Sequence, residues 1–276
     1  MAEMTKDGAR ARVRNLLCAI AIAGAALQAV AQTSPFRVLP ASPFAGEDFV
    51  VIAIGSTPSS PVELESATLA LSGGTLELVA HLSGGDFSVN APYRAAAVTR
   101  VAQSGSYPVN MRVSFLGAPL FAGPIGTVAI QPSSGASLPQ YSGLTGNWYH
   151  TNEPGWGLNI LQNGSGQLFA IWLTYQPATP PDSPRPRLPN LGLVMPSGRW
   201  ISPTQYRGVL YATFGSPVTQ PFVASDSRVV PVGFASLEFV SASEARFTAE
   251  GGLQISRSFG LSPDFAIDKV VKKFLF

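Results

Sequence analysis

Ser236-Leu237-Glu238-Phe239 and, further on, Leu253-Gln254-Ile255-Ser256-Arg257-Ser258-Phe259 alternate apolar with polar residues along most of their length. A period of two is the pattern of a strand, whose successive side chains point to opposite faces. One face is then dry and the other wet, which suits a soluble barrel with an apolar interior. An outer-membrane barrel would invert that polarity. Working outward, strand-like runs fall at 148–150, 157–162, 167–175, 191–195, 208–214, 230–239, 245–249 and 253–259. Eight consecutive strands with mostly short links predict an antiparallel up-and-down meander, closed so that no edge is exposed. The last clear strand ends near Phe259. Lys269, Lys272 and Lys273 follow, so residues 262–276 read as a tail or short amphipathic helix behind a barrel domain of 141–261.

Upstream the pattern is also β. Phe49-Val50-Val51-Ile52-Ala53-Ile54 is too short for a helix and reads as a buried strand, with others at 68–71, 75–80, 109–115 and 126–130. Ser72-Gly73-Gly74 and Ser83-Gly84-Gly85 are turn signals. Several strands with frequent turns predict a β-sandwich over 32–131. Pro132-Ser133-Ser134-Gly135-Ala136-Ser137-Leu138-Pro139 is uncharged with little to bury, so residues 132–140 read as a linker between two modules.

Composition agrees. The 276 residues are 46% hydrophobic and only 12% charged, against ~25% charged in ordinary soluble domains, with 27 Gly and 24 Pro. That balance excludes helical bundles and coiled coils. Lys6, Arg10, Arg12 and Arg14 precede an apolar run at 16–30, and Ala29-Val30-Ala31 offers a cleavage site before Gln32. Residues 1–31 therefore read as a secretory signal, too short in apolar length to span a membrane. The expected destination is the periplasm or the medium, with no transmembrane segment in the mature chain. The single cysteine, Cys18, lies in the signal, leaving the mature chain without disulfide or thiolate chemistry. The signal also holds four of the 18 basic and two of the 16 acidic residues, so 14 of each remain and the mature chain is neutral. Nucleic acid is not an expected partner.

Certain stretches are also familiar in their order. In the front module, Gly105-Ser106-Tyr107-Pro108-Val109 resembles the tyrosine corner of immunoglobulin-like domains. Pro40-Ala41-Ser42-Pro43-Phe44-Ala45-Gly46-Glu47 resembles the lead-in of bacterial immunoglobulin-like modules, which lack the Cys…Trp…Cys triad as this chain does. In the second module the succession is Gly146-Asn147-Trp148-Tyr149, Glu153-Pro154-Gly155-Trp156-Gly157 and Tyr206-Arg207-Gly208-Val209-Leu210-Tyr211. It resembles an uncharacterised secreted β-barrel domain of proteobacteria over roughly 146–259. That resemblance implies export and fold more than an activity. The chain departs from it at the Pro-rich insertion of 177–189, and Gly192 stands where that family carries a Trp. Leu144-Thr145-Gly146-Asn147-Trp148-Tyr149 is also similar to the first strand of avidin and lipocalin barrels. That implies barrel closure by Trp148 with Arg257 covering its indole. The expected fold is all-β: an immunoglobulin-like β-sandwich followed by an eight-stranded antiparallel up-and-down, avidin/lipocalin-like β-barrel.

Chemistry is sparse. His81 and His150 are the two histidines, and neither has the spacing of a metal site, so neither metal nor cofactor is expected. No nucleophile elbow or phosphate loop is present. Glu47-Asp48 and Glu63/Glu65 read as solvent-facing. Glu153, between Tyr149 and Trp156, either caps a tight turn or receives a cationic or hydroxylated ligand at the barrel mouth. The aromatic residues of the second module either fill its core or line a site. The candidate ligand residues are Tyr149, Glu153, Trp156, Trp172, Tyr175 and Tyr211, for an unknown small molecule, glycan or peptide. The leading expectation is an exported, non-catalytic binding barrel on an immunoglobulin-like spacer. The alternatives are a purely structural envelope protein and a hydrolase using Glu153 and His150.

Overall fold

The computed structural model describes residues 36–57, 60–87, 91–133, 135, 137–174, 191–216, 219–254 and 261–275. The signal at 1–31, the insertion at 177–189, Tyr175 and Arg257 lie outside them. Seven strands precede the linker: β1 (Phe36–Leu39), β2 (Asp48–Thr57), β3 (Ser60–Ser72), β4 (Thr75–Phe87), β5 (Ala91–Arg100), β6 (Gly105–Phe115) and β7 (Ala118–Ile130). They form two sheets, β1-β2-β5 and β3-β4-β6-β7. Both contribute to one apolar core that includes Phe49, Val51, Leu76, Leu78, Val109 and Met111. The pairings are antiparallel except β4 with β6, which runs parallel from Leu76↔Val109 to Leu82↔Phe115. Antiparallel sheets are the rule in immunoglobulin domains, so the pairing here differs. Tyr107 donates its hydroxyl to the Gln103 carbonyl at 3.1 Å, the backward bond that a tyrosine corner makes.

The front module has a second dry face. Phe49, Val51 and Ala53 of β2 enter the core shared by its two sheets, while Val50 and Ile52 turn the other way. This is why the run at 49–52 is apolar without alternation: both faces of the strand are covered. β5 escapes the sequence reading because Ala95-Ala96-Ala97 has weak strand preference. Its small side chains serve close packing, with Ala95 and Ala97 inward and Ala96 in the second cluster.

The remaining strands are β8 (Gly146–Tyr149), β9 (Gly157–Gln162), β10 (Leu168–Thr174), β11 (Leu191–Met195), β12 (Arg199–Trp200), β13 (Gln205–Phe214), β14 (Arg228–Ser241), β15 (Glu244–Gln254) and β16 (Leu261–Lys273). Eight of them close an antiparallel barrel in the order β11-β10-β9-β8-β16-β15-β14-β13, and β12 is a two-residue annex on β13. Two seams complete the ring. β16 meets β8 through Lys272↔Tyr149 and Lys273↔Trp148, and β11 meets β13 through Leu193↔Ala212 and Val194↔Tyr211.

The expected tail is instead the closing strand. Phe265, Ile267 and Val271 of β16 pack against the barrel core. Asp268 and Lys272 lie on the outer wall, where Arg246 donates to Asp268 at 2.7 Å and Lys272 stands 3.9 Å from Glu244. The charges that suggested a solvated tail are cross-strand partners. Correspondingly, the two short strands expected at 245–249 and 253–259 are not separated at Gly251-Gly252, because β15 runs through both glycines. Gly251 faces Gly233 across the ladder, and a Cβ on Gly233 would lie 2.2 Å from the Glu250 carbonyl oxygen. These glycines permit strand contact and do not mark a turn. A chain ending at residue 260 is expected to lose its cooperative melt in near-ultraviolet circular dichroism. An unchanged melt would restore the tail reading.

The stretch expected as a linker is bonded to the barrel at Ser133, Ser137 and Gln140. Ser137 N–H donates to the Trp200 carbonyl at 3.2 Å and Gln140 N–H to the Pro203 carbonyl at 2.7 Å. Residues 35–276 make one compact unit.

Candidate functional site

The aromatic residues of the barrel divide between its two ends. At one end Trp148 donates its indole N–H to the Leu144 carbonyl at 3.0 Å, and Trp200 donates to the Gly166 carbonyl at 2.7 Å. The Tyr206 hydroxyl donates to the Leu168 carbonyl at 3.0 Å, with Gln167 Oε1 equally close. Trp148 and Trp200 pack against Phe239 at centroid separations of 5.6 and 5.7 Å. Trp148 is thus a buried, hydrogen-bonded part of this aromatic cluster, and Arg257, expected to cover its indole, lies outside the described residues.

Burial pushes the Tyr206 phenol up from 10.0 to about 12, against backbone hydrogen bonds that pull it down. A raised folded value means that the neutral form stabilises the fold. That contribution is complete below pH 10 and is lost as pH climbs through about 12. Alkaline unfolding should accelerate in that window for the natural chain and less steeply for Tyr206→Phe, as read by far-ultraviolet circular dichroism.

The other end holds Trp156 and Trp172, 6.0 Å apart, both edge-on to Phe247 at 5.9 and 5.3 Å. Phe265 lies 5.8 Å from Trp172. Among the described residues the buried Trp172 indole N–H has no hydrogen-bond partner, unlike those of Trp148 and Trp200. The loop between β8 and β9 docks beside this cluster. Its backbone turns with Glu153 N–H on the His150 carbonyl, and His150 Nδ1 donates to the Val270 carbonyl at 2.8 Å. Glu153 accepts from Lys269 Nζ. Glu153, expected either to cap a tight turn or to receive a cationic or hydroxylated ligand, is thus paired with a lysine of the chain's own closing strand.

Of the six candidate ligand residues, the structure brings Trp156 and Trp172 together with Glu153 in the adjoining loop. Tyr149 lies on the outer wall, edge-on to Phe274 at 6.0 Å. Tyr211 also lies outside, packed against the cluster shared with the front module. Burial and then the Asp48 carboxylate raise its pKa. Among the described residues no group of three His, Cys, Asp or Glu side chains could hold a metal ion. No helix there is long and apolar enough to cross a membrane.

A second region, which the sequence does not signal, is the junction of the two-sheet front module and the barrel. Leu39, Val50, Ile52 and Ala96 meet Val209 and Phe234 of the barrel's outer wall. Beside them Glu47, 3% exposed, accepts both Nε and Nη2 of Arg207, itself 12% exposed. The Arg207 guanidinium lies 4.8 Å from the Phe44 ring centroid and 5.9 Å from that of Phe234. Arg94, 4% exposed, reaches Asp264 at 2.5 Å across Gly252, where a Cβ would lie 2.5 Å from the guanidinium carbon. Arg37 also meets Asp264, at 2.9 Å. The expected solvent-facing pair Glu47-Asp48 is thereby corrected. Asp48 binds Arg100 on the surface, whereas Glu47 is an interior anchor because the barrel covers it. Glu63 likewise meets Arg228 of the barrel at 2.9 Å. No local signal marks the partners that join the front module to the barrel, since each of those pairs is separated by more than a hundred residues.

Above the Glu63–Arg228 pair runs a groove of about 610 Å³. It is lined by residues 62–67 of β3, by Ala96 of β5, and on the barrel side by Phe214, Ser225 and residues 228–231. Phe214 and Val229 are exposed, and the same loop of the barrel carries exposed Phe222 and Val223. Phe214 and Val229 of the groove lining are thus exposed apolar side chains, and contiguous exposed apolar surface marks interaction sites. These features define an all-β protein in which a two-sheet module is docked on a closed eight-stranded barrel. Compared with protein-family models, curated proteins and solved structures, the chain matches none.

Proposed function

We propose that the chain is an exported, non-catalytic binding protein in which sandwich and barrel act as one scaffold and the groove between them takes the ligand. The groove carries this reading. Its volume of about 610 Å³ falls in the ~300–1,000 Å³ range of ligand sites, and its lining is mainly apolar with a few charged groups. The barrel core is occupied by Trp148, Trp156, Trp172, Trp200, Phe239 and Phe247, which favours a wall over a container. Glu153 serves as a latch to Lys269, so the hydrolase alternative has less support than binding.

In this reading the front module is an immunoglobulin-like spacer made rigid by docking. Its seven strands in two sheets and the Tyr107 bond support the likeness, with the parallel β4–β6 pair as its own variation. Export rests on the leader at 1–31, and the resemblance to secreted proteobacterial barrel domains fits it.

The groove is tested with Nile red, a neutral apolar dye, by fluorescence titration of the purified chain. Saturable enhancement is expected, and loss of it in Val229→Asp, whose exposed position tolerates the change. Unchanged binding in that variant sinks the groove reading. A second reading is favoured by the unpartnered indole of Trp172: a small acceptor-bearing ligand at that barrel end. Dye binding that survives Val229→Asp but fails in Trp172→Phe would select it.

A further inference from the structure

We infer that the groove receives an extended, cationic peptide segment of a partner, which adds as a strand to the free edge of β3. This rests on the groove being the binding surface. The lining itself carries the argument. A sheet face offers alternate residues to a neighbour, but β3 lines the groove with six consecutive ones, Val62 to Ala67. Consecutive lining means that the groove runs along the strand's backbone edge. The opposite edge of β3 is taken by β4, through Val62↔Gly84 to Ala67↔Ala80. β3 is the terminal strand of its sheet, and among the described residues no strand pairs with its outer edge. Six residues at roughly 3.3 Å each give an edge about 20 Å long. Its main-chain N–H and C=O groups suit strand addition, in which backbone bonds supply affinity and side-chain contacts specificity.

Charge identifies the occupant. Glu63 is engaged by Arg228, while Glu65 is exposed at the register shift between Leu64 and Ser66, with no ion pair among the described residues. A strand laid along this edge places a side chain near Glu65, and opposite charges across a ladder attract. A second copy of the chain docking by its own β3 would bring the Glu63/Glu65 stretch against its like, which repels. Apolar Phe214, Val229 and Val230 on the far wall favour apolar residues between the cations. The segment is therefore one that alternates β-branched residues with Lys or Arg.

The probe is a fluorescent, end-blocked peptide Thr-Val-Lys-Val-Lys-Val-Thr, followed by anisotropy on the full chain. Three results are expected: saturable binding that displaces Nile red, weakening with salt, and roughly two- to fivefold weaker binding by Glu65→Gln. A peptide with both Lys replaced by Glu should bind less tightly still. N-methylation at alternate residues, which removes backbone donors from one edge, should abolish binding. Equal binding of the N-methylated peptide would overturn strand addition, and equal binding of the Glu peptide would overturn the charge assignment. Nile red binding without any peptide binding would leave the groove standing and reject this occupant. Failure of both probes would reject the groove itself. Concentration-dependent dimerisation in light scattering, without peptide binding, would assign the edge to a second copy and overturn the inference.

Discussion

Glu47→Ala is expected to destabilise the chain by about 3–5 kcal/mol, the cost of leaving a partly buried cation without its partner. Arg207 would remain between the Phe44 and Phe234 rings with its carboxylate gone. For a domain of this size the melting temperature should fall by roughly 6–20 °C. The control is next door. Asp48→Ala removes an ion pair with Arg100 whose side chains are 35% and 61% exposed, so about 0–1 kcal/mol is expected. If the two variants melt alike, the Glu47 pair is not buried in solution. The joint change Glu47→Leu with Arg207→Met should recover most of the loss, because matched apolar groups remove both desolvation costs. The four tryptophans all lie in the barrel. Tryptophan fluorescence therefore reports the barrel, while circular dichroism reports both modules. Coincident transitions are expected in the natural chain and separate ones in Glu47→Ala, since the anchor couples the modules.

The second large effect separates two tryptophans that look alike in burial. Truncating either Trp148 or Trp172 to alanine should cost about 3–5 kcal/mol through the cavity left behind. Substitution by phenylalanine distinguishes them. In Trp148→Phe the Leu144 carbonyl loses its donor in the barrel interior, which adds about 1–3 kcal/mol to the loss of volume. In Trp172→Phe no hydrogen bond among the described residues is broken, and a buried donor that has no partner among them is removed. Trp172→Phe should therefore be the milder variant by that margin, measured by urea unfolding. Equal costs would mean that the Trp172 indole is satisfied in solution by a bound water or ligand.

Much of the barrel was legible in the residues. Gly157 to Gln162 and residues 191–195 were found as strands, and the alternation at Leu237 and Phe239 gave the dry face its direction. The eighth strand was misplaced for a physical reason. Gly251-Gly252 carries the local signature of a turn, yet the cross-strand approach to Gly233 needs glycine there. Asp268 and Lys272 read as solvated because their partners, Arg246 and Glu244, become neighbours only in the ladder. The candidate site was partly legible. Trp156 and Trp172 do meet, but Glu153 already holds Lys269, and Tyr149 and Tyr211 face away from them on the outer wall.

By itself, the sequence determined the class. Period-two alternation, Gly and Pro punctuation and low charge leave strands as the elements, and eight short-linked strands favour a closed meander. These are local properties, written in neighbours along the chain. Tertiary structure alone decided which strand closes the barrel, that the two-sheet front module docks on it through Glu47 and Arg207, and that a groove opens beside β3. Each of those depends on residues distant in sequence meeting across a surface. Desolvation there changes what a carboxylate or an alanine run does, and no local pattern encodes the meeting.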